Sequence, residues 1–146
     1  MNSDSNECLK LENQLCFPLY AASREIIKKY RPFLDELGLT YTQYLAMIVF
    51  WSEGSINVKE LGHKLYLDSG TLTPVLKALE GKGYITRKRS QADERVLIAA
   101  LTPEGQALKE RAESVPGKMS CCVKLSPDEA HILRELLNKL LGSISE

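Results

Sequence analysis

The segment from Asp68 to Leu101, DSGTLTPVLKALEGKGYITRKRSQADERVLIAAL, constrains the fold more tightly than any other part of the chain. Leu72, Val75, Leu76 and Leu79 recur at helical spacing, so its first half reads as a helix with one apolar side. The opposite side carries small hydroxyl residues. Pro74 fits best in a first turn, which places the helix start between Asp68 and Thr71. Gly81 and Gly83 end the helix. Tyr84–Arg89 and Arg95–Leu101 then read as two strands joined across residues 90–94, with turn-forming residues between β-branched runs. The hairpin is basic, with Lys82, Arg87, Lys88, Arg89 and Arg95 against Asp93 and Glu94.

The flanks agree with a small helical domain around that unit. Apolar residues from Leu11 to about Leu37 (Leu15, Leu19, Ala22, Ile26, Ile27, Tyr30, Leu34) follow a helical period. Pro18 and Pro32 are expected to kink or break that helix. Thr40 caps a second helix, Tyr41 to Ser52, whose LAMIVFW run is apolar nearly all round. Glu53-Gly54-Ser55 is a stop. Asn57 caps a short helix with Val58, Leu61 and Leu65 inward, and Leu67–Gly70 forms the turn to the helix already described. The pair reads as a helix-turn-helix. Thr102-Pro103-Glu104 opens a further helix that runs to about Val115, where Pro116-Gly117 interrupts it. Ser126-Pro127-Asp128-Glu129 opens the last one. Its Ile132, Leu133, Leu136, Leu137, Leu140 and Leu141 form a wide apolar stripe.

The expected fold class is therefore mainly α, a winged helix-turn-helix with a two-stranded β wing. The helix-turn-helix and wing occupy about residues 55–101 of one 146-residue domain. The terminal helices, about 8–38 and 103–144, carry more apolar surface than so small a core covers. Surface of that kind predicts a symmetric homodimer.

The formal charge is zero, from 19 basic and 19 acidic residues, which excludes a protein that coats polyanions indiscriminately. Binding to nucleic acid therefore rests on the local segment. No apolar run reaches the ~20 residues of a membrane span. The polar start MNSDSNECLKLENQ is unlike a secretory signal, so a cytoplasmic location is expected. Cys8, Cys16, Cys121 and Cys122 are too few and too uneven for a disulfide scaffold. With no CxxC and only two histidines, neither a structural metal nor a cofactor is expected.

On the second helix of the helix-turn-helix, Ser69, Gly70, Thr71, Thr73 and Lys77 point outward. Small hydroxyls near a helix N-terminus can approach base edges and phosphates because nothing bulky holds the helix out of the groove. The hairpin supplies Arg87, Lys88, Arg89 and Arg95 for the minor groove, with Asp93 placed to orient Arg95. Helix and hairpin together predict a reader of double-stranded DNA.

The stretch LYLDSGTLTPVLKALEGKGYITRKRSQADERVLIAALTPEG resembles the MarR family of winged-helix regulators, notably in its DER-containing wing. The resemblance implies homodimers on pseudo-palindromic operators, usually acting as repressors. Within that family, LENQLCFPLYAASREIIKKY and LTYTQYLA resemble the OhrR branch, repressors that sense organic hydroperoxides. This implies that Cys16 is the peroxidatic cysteine and that Tyr30 and Tyr41, with Tyr20 close by, surround its sulfur. The chemistry agrees: a peroxide is attacked by thiolate, and phenols donate hydrogen bonds to an anion without adding charge. The resemblance also makes Cys121 or Cys122 a candidate resolving thiol, Cys121 preferred on position, while Cys8 has no assigned role. Two other readings stay open at this point. One is a regulator released by a small aromatic ligand, with Cys16 structural. The other is a thiol peroxidase.

Overall fold

The computed structural model describes Asn6–Ser145, and the first five residues of the polar start lie outside that range. A short 3-10 turn, Leu11–Asn13, leads into helix α1, Cys16–Asp35. The chain then forms α2 (Tyr41–Glu53), β1 (Ser55–Asn57), α3 (Val58–Leu65), α4 (Ser69–Gly81), β2 (Ile85–Arg89) and β3 (Leu97–Leu101). It ends with α5 (Pro103–Ala112), α6 (Val115–Cys122) and α7 (Pro127–Ile144). Two compact units make up the chain, Met1–Val115 and Pro116–Glu146.

The first unit is built around α2. Thr40 caps it with a full capping box: the Gln43 N–H donates to Thr40 Oγ1 at 3.3 Å and the Thr40 N–H to Gln43 Oε1 at 3.1 Å. Ala46, Met47 and Phe50 are fully buried, joined by Leu61 of α3, Leu72, Leu76 and Leu79 of α4, and Ile85 of β2. Each of these leucine, isoleucine, methionine and phenylalanine side chains contributes about 1.5–3 kcal/mol by leaving water, so this shared core holds the helix-turn-helix together. The sheet is antiparallel in the order β1-β3-β2, with Ile56 opposite Ala99 and Arg87 opposite Ala99 on the other edge.

Several local expectations are corrected. Neither proline breaks α1, which runs unbroken for 20 residues. Pro18 falls in the first turn, where an N–H has no acceptor to lose, and Pro32 removes a single ladder bond, to the Lys28 carbonyl, one turn before the helix ends. The Ser55 stop is instead the start of β1, a third strand recruited by pairing with β3. Arg95 lies outside β3, because its backbone N–H is taken by Asp93 Oδ1 at 3.0 Å and the strand starts only at Leu97. The α4 start at Ser69 agrees with the expected window, but Pro74 sits in the second turn, at the cost of one ladder bond. Pro116-Gly117 does not interrupt a long helix: α5 ends at Ala112, and the pair lies in the first turn of α6.

In the second unit, α7 starts from a Ser126 capping box with Glu129 and buries none of its residues. Ile132, Leu133, Leu136 and Ile144 are exposed along it. On α1, Phe17, Leu19, Tyr20, Ile26 and Ile27 are likewise exposed, and only Leu34 is buried. Among the described residues, no helix is long and apolar enough to cross a membrane.

Candidate DNA-reading surface and thiol site

Helix α4 presents the face expected of it. Asp68 caps it, Oδ1 accepting the Thr71 N–H at 2.7 Å, and that bond holds the carboxyl below the usual carboxylate range. Leu72, Val75, Leu76 and Leu79 are buried, while Ser69, Gly70, Thr71, Thr73 and Lys77 are all exposed. The Thr73 hydroxyl donates back to the Ser69 carbonyl at 2.7 Å, so this side chain is fixed against its own helix. The turn before α4 contains Tyr66 at φ 54, the one non-glycine residue with positive φ among those described.

In the wing the basic side chains separate into two groups. Arg95 is bidentate to Asp93, Nε to Oδ1 at 3.2 Å and Nη2 to Oδ2 at 3.4 Å, with its side chain 91 % exposed. That contact holds the Asp93 carboxyl below its ordinary value. Asp93 thus aims Arg95 outward from the tip, as the spacing predicts. Lys88 and Arg89 are exposed and have no partner among the described residues. Arg87 and Lys82 point elsewhere. Arg87 is held by Glu80 of α4 and its side chain is only 18 % exposed. Lys82 donates to the Gly38 carbonyl and to Gln43 Oε1, tying the end of α4 to the α1–α2 corner. The outward positive charge of the wing is therefore that of Lys88, Arg89 and Arg95.

Cys16 is the first residue of α1 and is exposed, as are Cys8, Cys121 and Cys122; all four thiols are free. Cys16 thus lies in the first turn of α1, where backbone N–H groups have no intrahelical acceptor. Tyr20 follows one turn later on the same face, at i+4. Its hydroxyl accepts a hydrogen bond from Arg24 Nη1 at 3.1 Å, and the guanidinium lies over its ring, 5.4 Å from the centroid. The phenol proton of Tyr20 remains available to a further acceptor.

Tyr30 and Tyr41 do come together, with ring centroids 4.9 Å apart. Tyr44 joins them at 5.8 Å from Tyr30, and Trp51 packs edge-on to Tyr44 at 6.5 Å. Burial raises the pKa of Tyr30, of Tyr41 and of Tyr44 above the ordinary phenol value, and Tyr30 raises the other two further. All three are neutral donors at physiological pH. Tyr44 and Trp51 were not among the expected site residues, although Tyr41, Tyr44 and Trp51 follow one another at +3 and +7 along α2, one helical face. Beside the cluster lies a cleft of about 200 Å³ lined by Ile27, Arg31, Leu34, Asp35, Leu39, Thr40 and Tyr41.

The cluster and the thiol do not meet within one chain. Cys16 and Tyr30 are fourteen residues apart on the unbroken α1, which at ~1.5 Å per residue is about 21 Å. Tyr20 alone of the three expected tyrosines is within about one helical turn of the thiol in the same chain. No group of three or more His, Cys, Asp or Glu among the described residues is placed to hold a metal ion.

Comparison with known proteins places this architecture. Residues 25–112 match the family of the transcriptional regulators SarA/Rot. The chain is 49% identical over 138 residues to the organic hydroperoxide resistance transcriptional regulator of Bacillus subtilis, covering 94% of each. Among solved structures it is similar to reduced AbfR bound to DNA, the AbfR of Staphylococcus epidermidis, at 39% identity and a TM-score of 0.78, covering 97% of this chain and 99% of that one. Against the disulfide form of AbfR, at 35% identity and full coverage of both chains, the TM-score is 0.64. These relatives are regulators of transcription, not enzymes, and the thiol-peroxidase reading falls with that.

Proposed function

The chain belongs to the SarA/Rot family of winged-helix transcriptional regulators, and from that premise we propose that it is a cytoplasmic repressor whose operator affinity is set by the oxidation state of Cys16. The observation that carries this reading is the placement of Cys16. It is an exposed thiol in the first turn of a helix, beside the exposed apolar side chains of Phe17, Leu19 and Tyr20. Apolar surface around a reactive sulfur favours an organic hydroperoxide over hydrogen peroxide.

A second copy of the chain completes the site. Tyr30 and Tyr41 stand about 21 Å from the sulfur of their own chain by the helix rise, so in this reading they reach the Cys16 of the partner subunit across a symmetric homodimer. The exposed apolar residues of α1 and α7 supply the surface that such a dimer buries. The neutral phenols donate to the thiolate. The thiolate then attacks the peroxide: an S–O bond forms, the O–O bond breaks, and the alkoxide leaves and takes a proton from solvent to become the alcohol. A second thiol, from Cys121, Cys122 or a small molecule, attacks the sulfenic acid, forming a disulfide and releasing water. The disulfide draws the Cys16 end of α1 away from the tyrosine cluster of the partner subunit, and the two α4 helices no longer match successive major grooves of a pseudo-palindromic operator. In that complex α4 contributes Ser69, Gly70, Thr71, Thr73 and Lys77, and the wing contributes Lys88, Arg89 and Arg95.

The test is to trap the oxidised sulfur. Reduced protein treated with one equivalent of cumene hydroperoxide and a sulfenic-acid trap should give an adduct that mass spectrometry maps to Cys16. An adduct confined to Cys8, Cys121 or Cys122 rejects the assignment.

A further inference from the structure

The basic wing contains one arginine that the fold turns inward. Arg87 donates from Nε to Glu80 Oε2 at 3.3 Å and from Nη2 to Glu80 Oε1 at 3.2 Å, and its backbone N–H donates to Oε2 at 3.1 Å. A single carboxylate thus takes three N–H groups from one residue. Bidentate guanidinium–carboxylate contacts fix geometry as well as charge, because both groups are planar. Glu80 is the penultimate residue of α4, and Arg87 is the middle residue of β2. Between them the chain reverses through Gly83 at φ 79, held by the Thr102 hydroxyl on the Gly83 carbonyl at 2.5 Å. The pair therefore bridges the recognition helix and the wing at the wing's root. Arg89, on the same face of β2, lies two residues and about 7 Å further toward the tip.

We propose that Glu80 and Arg87 form a brace that fixes the angle between α4 and the wing, and that Arg87 supports DNA binding by positioning and not by touching phosphate. The inference rests on the reading of α4 and the wing as the DNA-contacting elements. A rigid duplex presents its major and minor grooves at a set separation. A wing hinged only at Gly83 would reach the minor groove in few of its orientations. Ordering that segment in advance removes a cost which binding would otherwise meet. The brace also makes the charge of Arg87 internal, compensated by Glu80.

The two roles predict effects of opposite sign. A phosphate-binding Arg87 would be released by Glu80→Gln, which also removes a negative charge near DNA, so binding would tighten. A brace is broken by the same substitution, so binding weakens. Fluorescence anisotropy of the reduced protein on an operator duplex across a salt series, with hydroxyl-radical footprinting, separates them. Glu80→Gln and Arg87→Met should each weaken binding by roughly tenfold, the scale of a hydrogen bond to a charged group. The double variant should be no weaker than either single one. The salt slope should stay that of wild type, and the outer, minor-groove protection should fade while the major-groove protection persists. The charge-swapped E80R/R87E should recover part of the lost affinity. Tighter binding by Glu80→Gln, a slope reduced by ~0.9 per Arg87 removed, or a swapped protein weaker than both single variants overturns the brace. Failure of wild type to bind any operator duplex would instead reject the reading on which the proposal rests.

Discussion

Replacing Gly105 with alanine should destabilise the protein by several kilocalories per mole, although alanine is the better helix former. A Cβ at this position stands 2.2 Å from the Tyr84 carbonyl oxygen and 2.7 Å from Leu101 Cδ1. Ordinary contact needs more than 3 Å, so α5 and the Tyr84 peptide must part by about 1 Å. Three bonds restrain them. The Thr102 N–H donates to that same Tyr84 carbonyl at 3.0 Å. Thr102 Oγ1 caps α5 through the Gly105 N–H at 3.1 Å, and Trp51 Nε1 donates to the Gly105 carbonyl at 2.8 Å. Overpacking costs about 1–3 kcal/mol, and losing one buried bond about the same. Alanine's helix propensity returns about 1 kcal/mol. The net loss is about 3 kcal/mol, or a fall in Tm of about 10 °C for a chain of this length. Thermal denaturation at a fixed protomer concentration measures it, since a dimer's Tm depends on concentration. A Tm within 2 °C of wild type, with ~2 °C being less than 1 kcal/mol here, would refute the account of how α5 locks the root of the wing.

Other outcomes follow from the same structure. Tyr66→Gly should raise stability by about 0.5–1 kcal/mol, because a left-handed conformation is strained for tyrosine and free for glycine; a lowered Tm would show that the side chain stabilises the turn. Absorbance titration at 295 nm should show Tyr30, Tyr41 and Tyr44, three of the six tyrosines, ionising above pH 10.0. Their folded pKa values are raised, so their neutral forms favour the folded state below the unfolded pKa, and that contribution is lost as pH rises through the folded values. Six tyrosines titrating together near 10.0 would contradict the packed cluster. Lys82→Met should lower Tm by a few degrees and leave the salt slope of DNA binding unchanged; a slope smaller by ~0.9 per site would make Lys82 a phosphate contact.

The elements that carry function were legible because each has a local signature. The Thr40 and Ser126 capping boxes, the leucines of α4, and the glycines bounding α4 all act within a few residues. What escaped depends on partners distant in sequence. β1 has three residues and no pattern of its own, and exists through its pairing with β3. The direction of Arg87 is decided by Glu80 on another element, and that of Lys82 by the Gly38 carbonyl, 44 residues away. Gly105 reads as an ordinary residue in an α5 first turn until Tyr84 is seen behind it. For the thiol site, the resemblance to the OhrR branch names Cys16, Tyr20, Tyr30 and Tyr41, and the unbroken run of α1 puts Cys16 and Tyr30 about 21 Å apart along the helix. Pro18 and Pro32 predict a kinked or broken helix over this stretch, and α1 is unbroken.

The central claim is that oxidation at Cys16 controls the grip of α4 and the wing on DNA. Operator binding by fluorescence anisotropy, measured on reduced protein and again after cumene hydroperoxide, tests it most directly when wild type and Cys16→Ser are run side by side. The account predicts that both bind when reduced, that peroxide releases wild type, that dithiothreitol restores it, and that Cys16→Ser stays bound throughout. Peroxide-driven release of Cys16→Ser to the same extent as wild type would contradict it.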